Sequence, residues 1–191
     1  FLGGVKYRWF ILGGLAMLLG LILILGAGGY EASRITAWQD PFSDPTDDGY
    51  QIIQSLYAIG SGGLFGLGLG NGRQKYLYLP EEHNDYIFSI ACEELGLAGA
   101  VGILILYSLL ILRGYWISMH IRDRFLSLTV AGITTLTALQ VFFNIGVVTN
   151  LLPSTGISLP FFSYGGTALL IQLGEMGIIL GASRQCSAGF L

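Results

Sequence analysis

Hydrophobic residues in this chain collect into long runs that no charge interrupts. Residues 9–30, 95–112 and 125–174 contain no Asp, Glu, Lys or Arg, and a membrane span needs only about 20 mostly apolar residues. The last run is long enough for two spans. It is interrupted at Asn150-Leu151-Leu152-Pro153-Ser154-Thr155-Gly156, where Pro, Gly and small polar residues mark a loop. The pattern predicts an all-α polytopic membrane protein with four transmembrane helices, at roughly 9–30, 86–112, 126–150 and 161–182, in one membrane domain covering 1–191.

The first two predicted helices are separated by residues 31–84, too long a stretch for a plain connector. It carries Trp38, Phe42, Tyr50, Ile52, Ile53, Leu56, Tyr57, Ile59, Leu64 and Phe65, too much apolar surface for a disordered segment. Ile52, Ile53, Leu56 and Tyr57 recur at helical spacing with Gln51, Gln54 and Ser55 opposite, which predicts a short amphipathic helix at the interface. The 24 uncharged residues between Asp48 and Arg73 could suggest a fifth span. Seven glycines between 60 and 72 argue against a regular helix there, so a re-entrant or surface-lying element is expected. The run Gly66-Leu67-Gly68-Leu69-Gly70 lacks the strand-to-helix frame of a nucleotide-binding loop.

Composition agrees with the pattern. Of 191 residues, 53% are hydrophobic and 11% charged, and the mean hydropathy is +0.67. Six of the nine cations (Lys6, Arg8, Arg113, Arg122, Arg124 and Arg184) flank the helices on one side. Short cytoplasmic loops are enriched in Lys and Arg, so both termini are expected in the cytoplasm and residues 31–85 outside. That outer segment holds eight of the twelve acids against Arg34, Arg73 and Lys75, and an acidic face gives no case for nucleic-acid binding. Cys92 and Cys186 are expected near opposite membrane faces, too far apart to form a disulfide.

Candidate chemistry gathers where the acidic outer segment turns into the second long helix, at Asp85. A carboxylate at the bilayer lip is costly unless solvated, paired or used. The bland alternative is that Asn84 or Asp85 caps the helix. Arg73 and Lys75, the only cations leading into this junction, would suit a lipid-linked diphosphate; alternatively they anchor at headgroups or pair with Glu81 and Glu82. His83 could orient Asp85 or a substrate. Glu93, about 80° around the helix from Asp85, could share its cavity face. Gln140 and Asn144 on the third helix, and Gln172 and Glu175 on the fourth, can each line an interior face or bond helix to helix.

Seven blocks in this order carry a family resemblance: Trp38-Gln39-Asp40-Pro41-Phe42, Gly49-Tyr50-Gln51, Gly62-Gly63-Leu64-Phe65-Gly66-Leu67-Gly68-Leu69-Gly70, Leu79-Pro80-Glu81-Glu82-His83-Asn84-Asp85-Tyr86-Ile87-Phe88, Glu93-Glu94-Leu95-Gly96, Asn144-Ile145-Gly146-Val147-Val148-Thr149 and Leu159-Pro160-Phe161-Phe162-Ser163-Tyr164-Gly165-Gly166. The chain resembles the SEDS family of shape, elongation, division and sporulation proteins. Asn84 stands where Thr is usual, and Asn150 where Gly is expected.

The resemblance implies a C-terminal set of four helices from a fold of about ten membrane-spanning helices, with residues 31–84 as the large extracytoplasmic loop. It implies a glycosyltransferase of the bacterial cytoplasmic membrane that polymerises lipid II into peptidoglycan. Asp85 would be the catalytic base, and Arg73, Lys75, His83, Gln51, Glu93, Asn144 and Ser163 would be substrate-binding candidates. No cofactor and no protein metal ligands are expected, with a divalent cation left open. Implied partners are lipid II, a class B penicillin-binding transpeptidase and other division proteins. A lipid II flippase is the alternative activity, since polar residues in spans fit both, and a chain lacking the preceding helices could be inactive.

Overall fold

The computed structural model describes residues 6–26, 30–43, 48–72 and 85–187. They form α1 (Tyr7–Gly26), α2 (Tyr30–Gln39), a 3₁₀ turn (Pro41–Ser43), α3 (Asp48–Gly62), α4 (Ile87–His120), α5 (Arg124–Val148) and α6 (Gly166–Ser187), with no strand among the described residues. Two compact units are present, Phe1–Tyr50 and Gln51–Leu191.

In the first unit, α1 is apolar beyond Arg8 and presents Leu12, Leu15, Met17, Leu18 and Leu19 outward. An apolar helix suits hydrocarbon, because its backbone hydrogen bonds are satisfied within the segment. The short α2 and the 3₁₀ turn follow it, with Ala37 and Pro41 buried.

The second unit is built on three helices long and apolar enough to cross a membrane: α4, α5 and α6. Residues 121–123 turn α4 into α5. Asp123 caps α5 by accepting from Phe125 N at 3.2 Å. The pair runs antiparallel, with Ser118 Oγ donating to Ser127 O (2.9 Å), Ser127 Oγ to Ser118 O (2.7 Å), and Tyr115 OH 2.9 Å from Thr135 Oγ1. Small residues bring the backbones close, as membrane interfaces require: a Cβ on Gly114 would stand 2.4 Å from Thr134 Oγ1. Hydroxyls that lack a cross-helix partner bond their own helix, Thr134 to Val130 O and Thr137 to Ile133 O. One core cluster at the Asp85 end joins Tyr86, Phe88, Cys92, Ile103, Tyr107, Val141, Val148 and Leu159. A second, at the Arg113 end, joins Ile117, Ile121, Val130, Ile179 and Ala182.

The expected amphipathic helix is α3, which buries Ile52, Ile53, Ser55 and Ala58 and exposes Tyr57. Ser55 Oγ donates to Val148 O at 2.8 Å, tying α3 to the end of α5. Helix boundaries differ from the sequence expectation at three ends, one of them the end of the last helix, which runs past 182 to Ser187. The second long helix continues past 112 to His120, with the Arg113 guanidinium over the Trp116 ring one turn further on, 4.3 Å from its centroid, and a long side chain that carries its charge along an apolar surface does not end a helix. The last helix begins at Gly166 and not near 161, since Phe161 has φ 65 and leaves the helical region.

Inside α4, Gly96 breaks the helix with φ 69 and ψ −169. The break lies about 14 Å along the axis from Ile87, and the glycine-rich segment after α3 fills it. Gly63 O accepts from Leu97 N (2.9 Å), Leu64 O accepts from Ala98 N (3.1 Å), and Leu67 N and Gly68 N donate to Glu93 O and Glu94 O, both at 3.0 Å. The segment from 60 to 72 is thus no continuous crossing helix.

Candidate functional site

Asp85 immediately precedes the N-cap of α4. Tyr86 occupies the cap position, with φ −108, and makes no side-chain cap bond. Its carbonyl instead accepts from Ser89 N (3.0 Å) and Ser89 Oγ (2.6 Å). Asp85 is therefore one residue outside the helix, half-buried, with its side chain near the loop between α5 and α6. A Cβ built on Gly156 would lie 3.6 Å from Asp85 Oδ2. The Asp85 backbone is fixed from α5, where Asn144 Nδ2 donates to Asp85 O at 2.7 Å and to Ile157 O at 2.8 Å.

The loop facing Asp85 is held by side chains from all three long helices. It begins with a tight helix stop. Asn150, at φ 57, donates its N–H to Val147 O (3.0 Å), and Leu151 N donates to Gly146 O (2.8 Å), the paired bonds of a Schellman motif with Asn in the left-handed position. Further on, Leu159 N donates to Ser163 Oγ at 2.8 Å. Tyr107 OH from α4 donates to Pro160 O. Gln172 Oε1 from α6 accepts from Phe161 N at 2.8 Å. These bonds hold Phe161 in its left-handed conformation, which a bulky residue adopts only when its surroundings enforce it.

Glu93 is buried, and a Cβ on Gly72 would lie 2.9 Å from its Oε2 and 3.1 Å from Glu94 Oε1. Both carboxylates thus reach the end of the glycine segment, one residue before Arg73 in the sequence. Arg73, Lys75 and His83 lie outside the described residues. Gln51 is half-buried on α3. Of the eight candidates, Asp85 and Asn144 are brought into direct contact, and Ser163 serves the loop opposite Asp85. Among the described residues no group of three or more His, Cys, Asp or Glu is set to hold a metal ion.

Beside the loop, Ile103, Leu106, Tyr107, Leu110, Phe161 and Phe162 line a cleft of about 160 Å³. Its walls are hydrocarbon and aromatic, and the hydroxyl of Tyr107 is already engaged with Pro160, so the cleft suits an apolar chain. The arrangement joins a carboxylate at the mouth of a helix bundle, an open glycine position beside it and a greasy slot along the bundle wall. Sequence patterning marks Gly156 only as part of a loop and does not single out Ile157 or Tyr107, since their roles depend on contacts with backbone groups distant in the chain.

The family model described as cell cycle protein, covering FtsW, RodA and SpoVE, matches residues 1–188. Stage V sporulation protein E of Bacillus subtilis is 47% identical over 184 residues, which cover 96% of this chain and 50% of the relative. The probable peptidoglycan glycosyltransferase FtsW of Geobacter sp. is 45% identical over 185 residues, 97% of this chain and 50% of the relative. Among solved structures, a chain of a peptidoglycan synthase complex that coordinates polymerization and crosslinking superposes with a TM-score of 0.71 and 29% identity, over 93% of this chain and 49% of that one. The rod shape determining protein RodA of Thermus thermophilus, as a variant, gives 0.53 and 35%, over 68% and 39%. This chain spans about half the length of the curated relatives it matches. The resemblance carried by the seven sequence blocks holds over nearly the whole chain, which belongs to the FtsW/RodA/SpoVE family of cell cycle proteins.

Proposed function

We propose that this chain provides the catalytic base of a peptidoglycan glycosyltransferase that polymerises lipid II. The observation that carries the reading is the setting of Asp85: the cap position falls to Tyr86, while the acid faces Gly156 across the mouth of the bundle. The names of the curated relatives support the reaction class. The Asp85 carboxylate takes the proton from the sugar 4-hydroxyl of one lipid II as that oxygen attacks the anomeric carbon of the growing strand. The bond from that carbon to the lipid diphosphate breaks, and the diphosphate leaves with the electron pair. Its departure needs no covalent enzyme intermediate, so the protein supplies orientation, proton removal and charge neutralisation. Arg73 and Lys75 neutralise the diphosphate, and His83 lies close in sequence to orient the acid. Gln51, Glu93 and Ser163 line or brace the sugar-side wall. The cleft beside Tyr107 and Phe162 suits the polyprenyl tail.

The chain lies in the bacterial cytoplasmic membrane with α1, α4, α5 and α6 as four spans and both ends in the cytoplasm. A transpeptidase partner is supported by the likeness to a synthase complex. The test is Asp85→Asn in full-length protein, purified away from other glycosyltransferases, with lipid II as sole substrate. General-base contributions are typically about 10²–10⁴-fold, so strand synthesis should fall by that factor with expression and melting temperature nearly unchanged. Wild-type polymerisation by Asp85→Asn would refute the assignment and favour lipid II transport.

A further inference from the structure

Asn144 lies one turn before the end of α5 and is 1% exposed. Both of its bonded partners, Asp85 O at 2.7 Å and Ile157 O at 2.8 Å, are acceptors. They fix the amide orientation, because the reverse would set Oδ1 against two carbonyl oxygens. With both hydrogens engaged, the amide has no donor left for a sugar or a diphosphate. Its buried Oδ1 has no hydrogen-bond partner among the described residues. A buried acceptor left unsatisfied is destabilising, and a leucine would fill the same space without it. What asparagine supplies, and leucine cannot, is a rigid two-pronged link from a membrane helix to the backbone of the acid and to the residue after Gly156.

We infer that Asn144 is a positioning residue that sets the Asp85 carboxylate against the 156–163 loop, and not one of the substrate-binding residues it was a candidate for. The inference rests on Asp85 being the base. The carboxylate stands two rotatable bonds from its backbone, so a fixed backbone confines its reach. The same amide fixes Ile157, so the acid and the wall it faces keep their spacing even though they come from different ends of α4 and α5. A displacement of about 1 Å at a reacting group can cost about 10²-fold in rate.

The experiment compares Asn144→Asp, Asp85→Asn and the double variant in the full-length protein, with purified lipid II as substrate. Asn144→Asp conserves volume but turns the donor atom toward the two carbonyls into an oxygen. The expected result is a kcat lowered about 10²-fold with KM unchanged within about twofold. In the Asp85→Asn background the Asn144→Asp change should lower the residual rate no further, because nothing is left to position. A raised KM with kcat intact would assign Asn144 to the substrate and overturn the inference. Wild-type kinetics, or a full additional loss in the double variant, would overturn it too. Where Asn144→Asp fails to accumulate, Asn144→Ser is read by the same criteria. An undiminished rate for Asp85→Asn alone would instead refute the base assignment.

Discussion

Gly66 and Gly96 meet backbone to backbone: a methyl group on Gly96 would stand 2.2 Å from the Gly66 nitrogen, and one on Gly66 would stand 2.1 Å from Glu94 O. The contact explains why a membrane helix can break there. Opening α4 at Gly96 frees backbone groups on either side, and such groups in hydrocarbon cost several kcal/mol each unless satisfied. The segment from Gly63 to Gly68 satisfies four of them, two with carbonyls and two with N–H groups. The segment then ends at Gly72 beside Glu93 and Glu94, so the break ties the glycine segment to the helix that starts beside Asp85.

Gly96→Ala should therefore be severely destabilising. The Gly96 backbone, with φ 69 and ψ −169, is in a conformation essentially reserved for glycine that costs a side-chain-bearing residue about 1–3 kcal/mol, and overpacking adds about 1–3 kcal/mol. Gly102→Ala, in the same helix with nothing within 4 Å of the added carbon, should be neutral or stabilising by up to about 1 kcal/mol. Thermal unfolding of the two variants in one detergent gives the comparison. Equal melting temperatures would mean that the glycine segment does not dock in the break.

The long helices α4 and α5 were legible in the sequence because each is built on a long uncharged run, and α6 because it stays apolar on both sides of Glu175. The break in α4 was not. Gly96 reads like Gly99 or Gly102 along the chain, and only its contact with Gly66, thirty residues earlier, sets it apart. Asp85 was legible as an acid at the junction of loop and span. The work of Asn144 was hidden because its partners are carbonyl oxygens, which every residue carries, so no side-chain pattern announces them. Phe161 misled for a related reason: an aromatic residue suggests helix or core, while its left-handed backbone is imposed by Gln172 from the next helix.

Orientation is checked by single-cysteine labelling in intact cells, in a background lacking Cys186. Cysteines at Ser43 and at Asp123 should react from outside and from inside respectively, because Arg113, Arg122 and Arg124 flank the α4–α5 turn and short cytoplasmic loops attract cations. The opposite pattern would invert the membrane topology and move Asp85 to the wrong face for an extracytoplasmic polymerase.

Neutralising Arg73 and Lys75 together should weaken the use of lipid II more than it weakens folding. Each charge-assisted contact is worth about 1.5–3 kcal/mol, so Arg73→Gln/Lys75→Gln should raise KM for lipid II by at least about tenfold with the melting temperature nearly constant. Unchanged kinetics at limiting lipid II would reduce both residues to headgroup anchors.

Tyr107 and Gln172 hold adjacent residues of one loop, Pro160 through its carbonyl and Phe161 through its N–H, so their loss should not be additive. Gln172→Leu leaves the part-buried Phe161 N–H without its acceptor, at a cost of about 1 kcal/mol or more. Tyr107→Phe removes only a donor to Pro160 O, which should cost about 0.5–1.5 kcal/mol. Either change lets the loop drift from Asp85, so strand synthesis should fall further than stability does. Once one anchor is gone the loop is already free, and the second substitution should add less than its single-variant effect, with a coupling of about 0.5–3 kcal/mol expected for residues sharing one network. Melting temperatures and polymerisation rates of the two single variants and the double variant measure that coupling. Strict additivity in both quantities would show that the two side chains hold separate structures and that the loop does not move as one unit against Asp85.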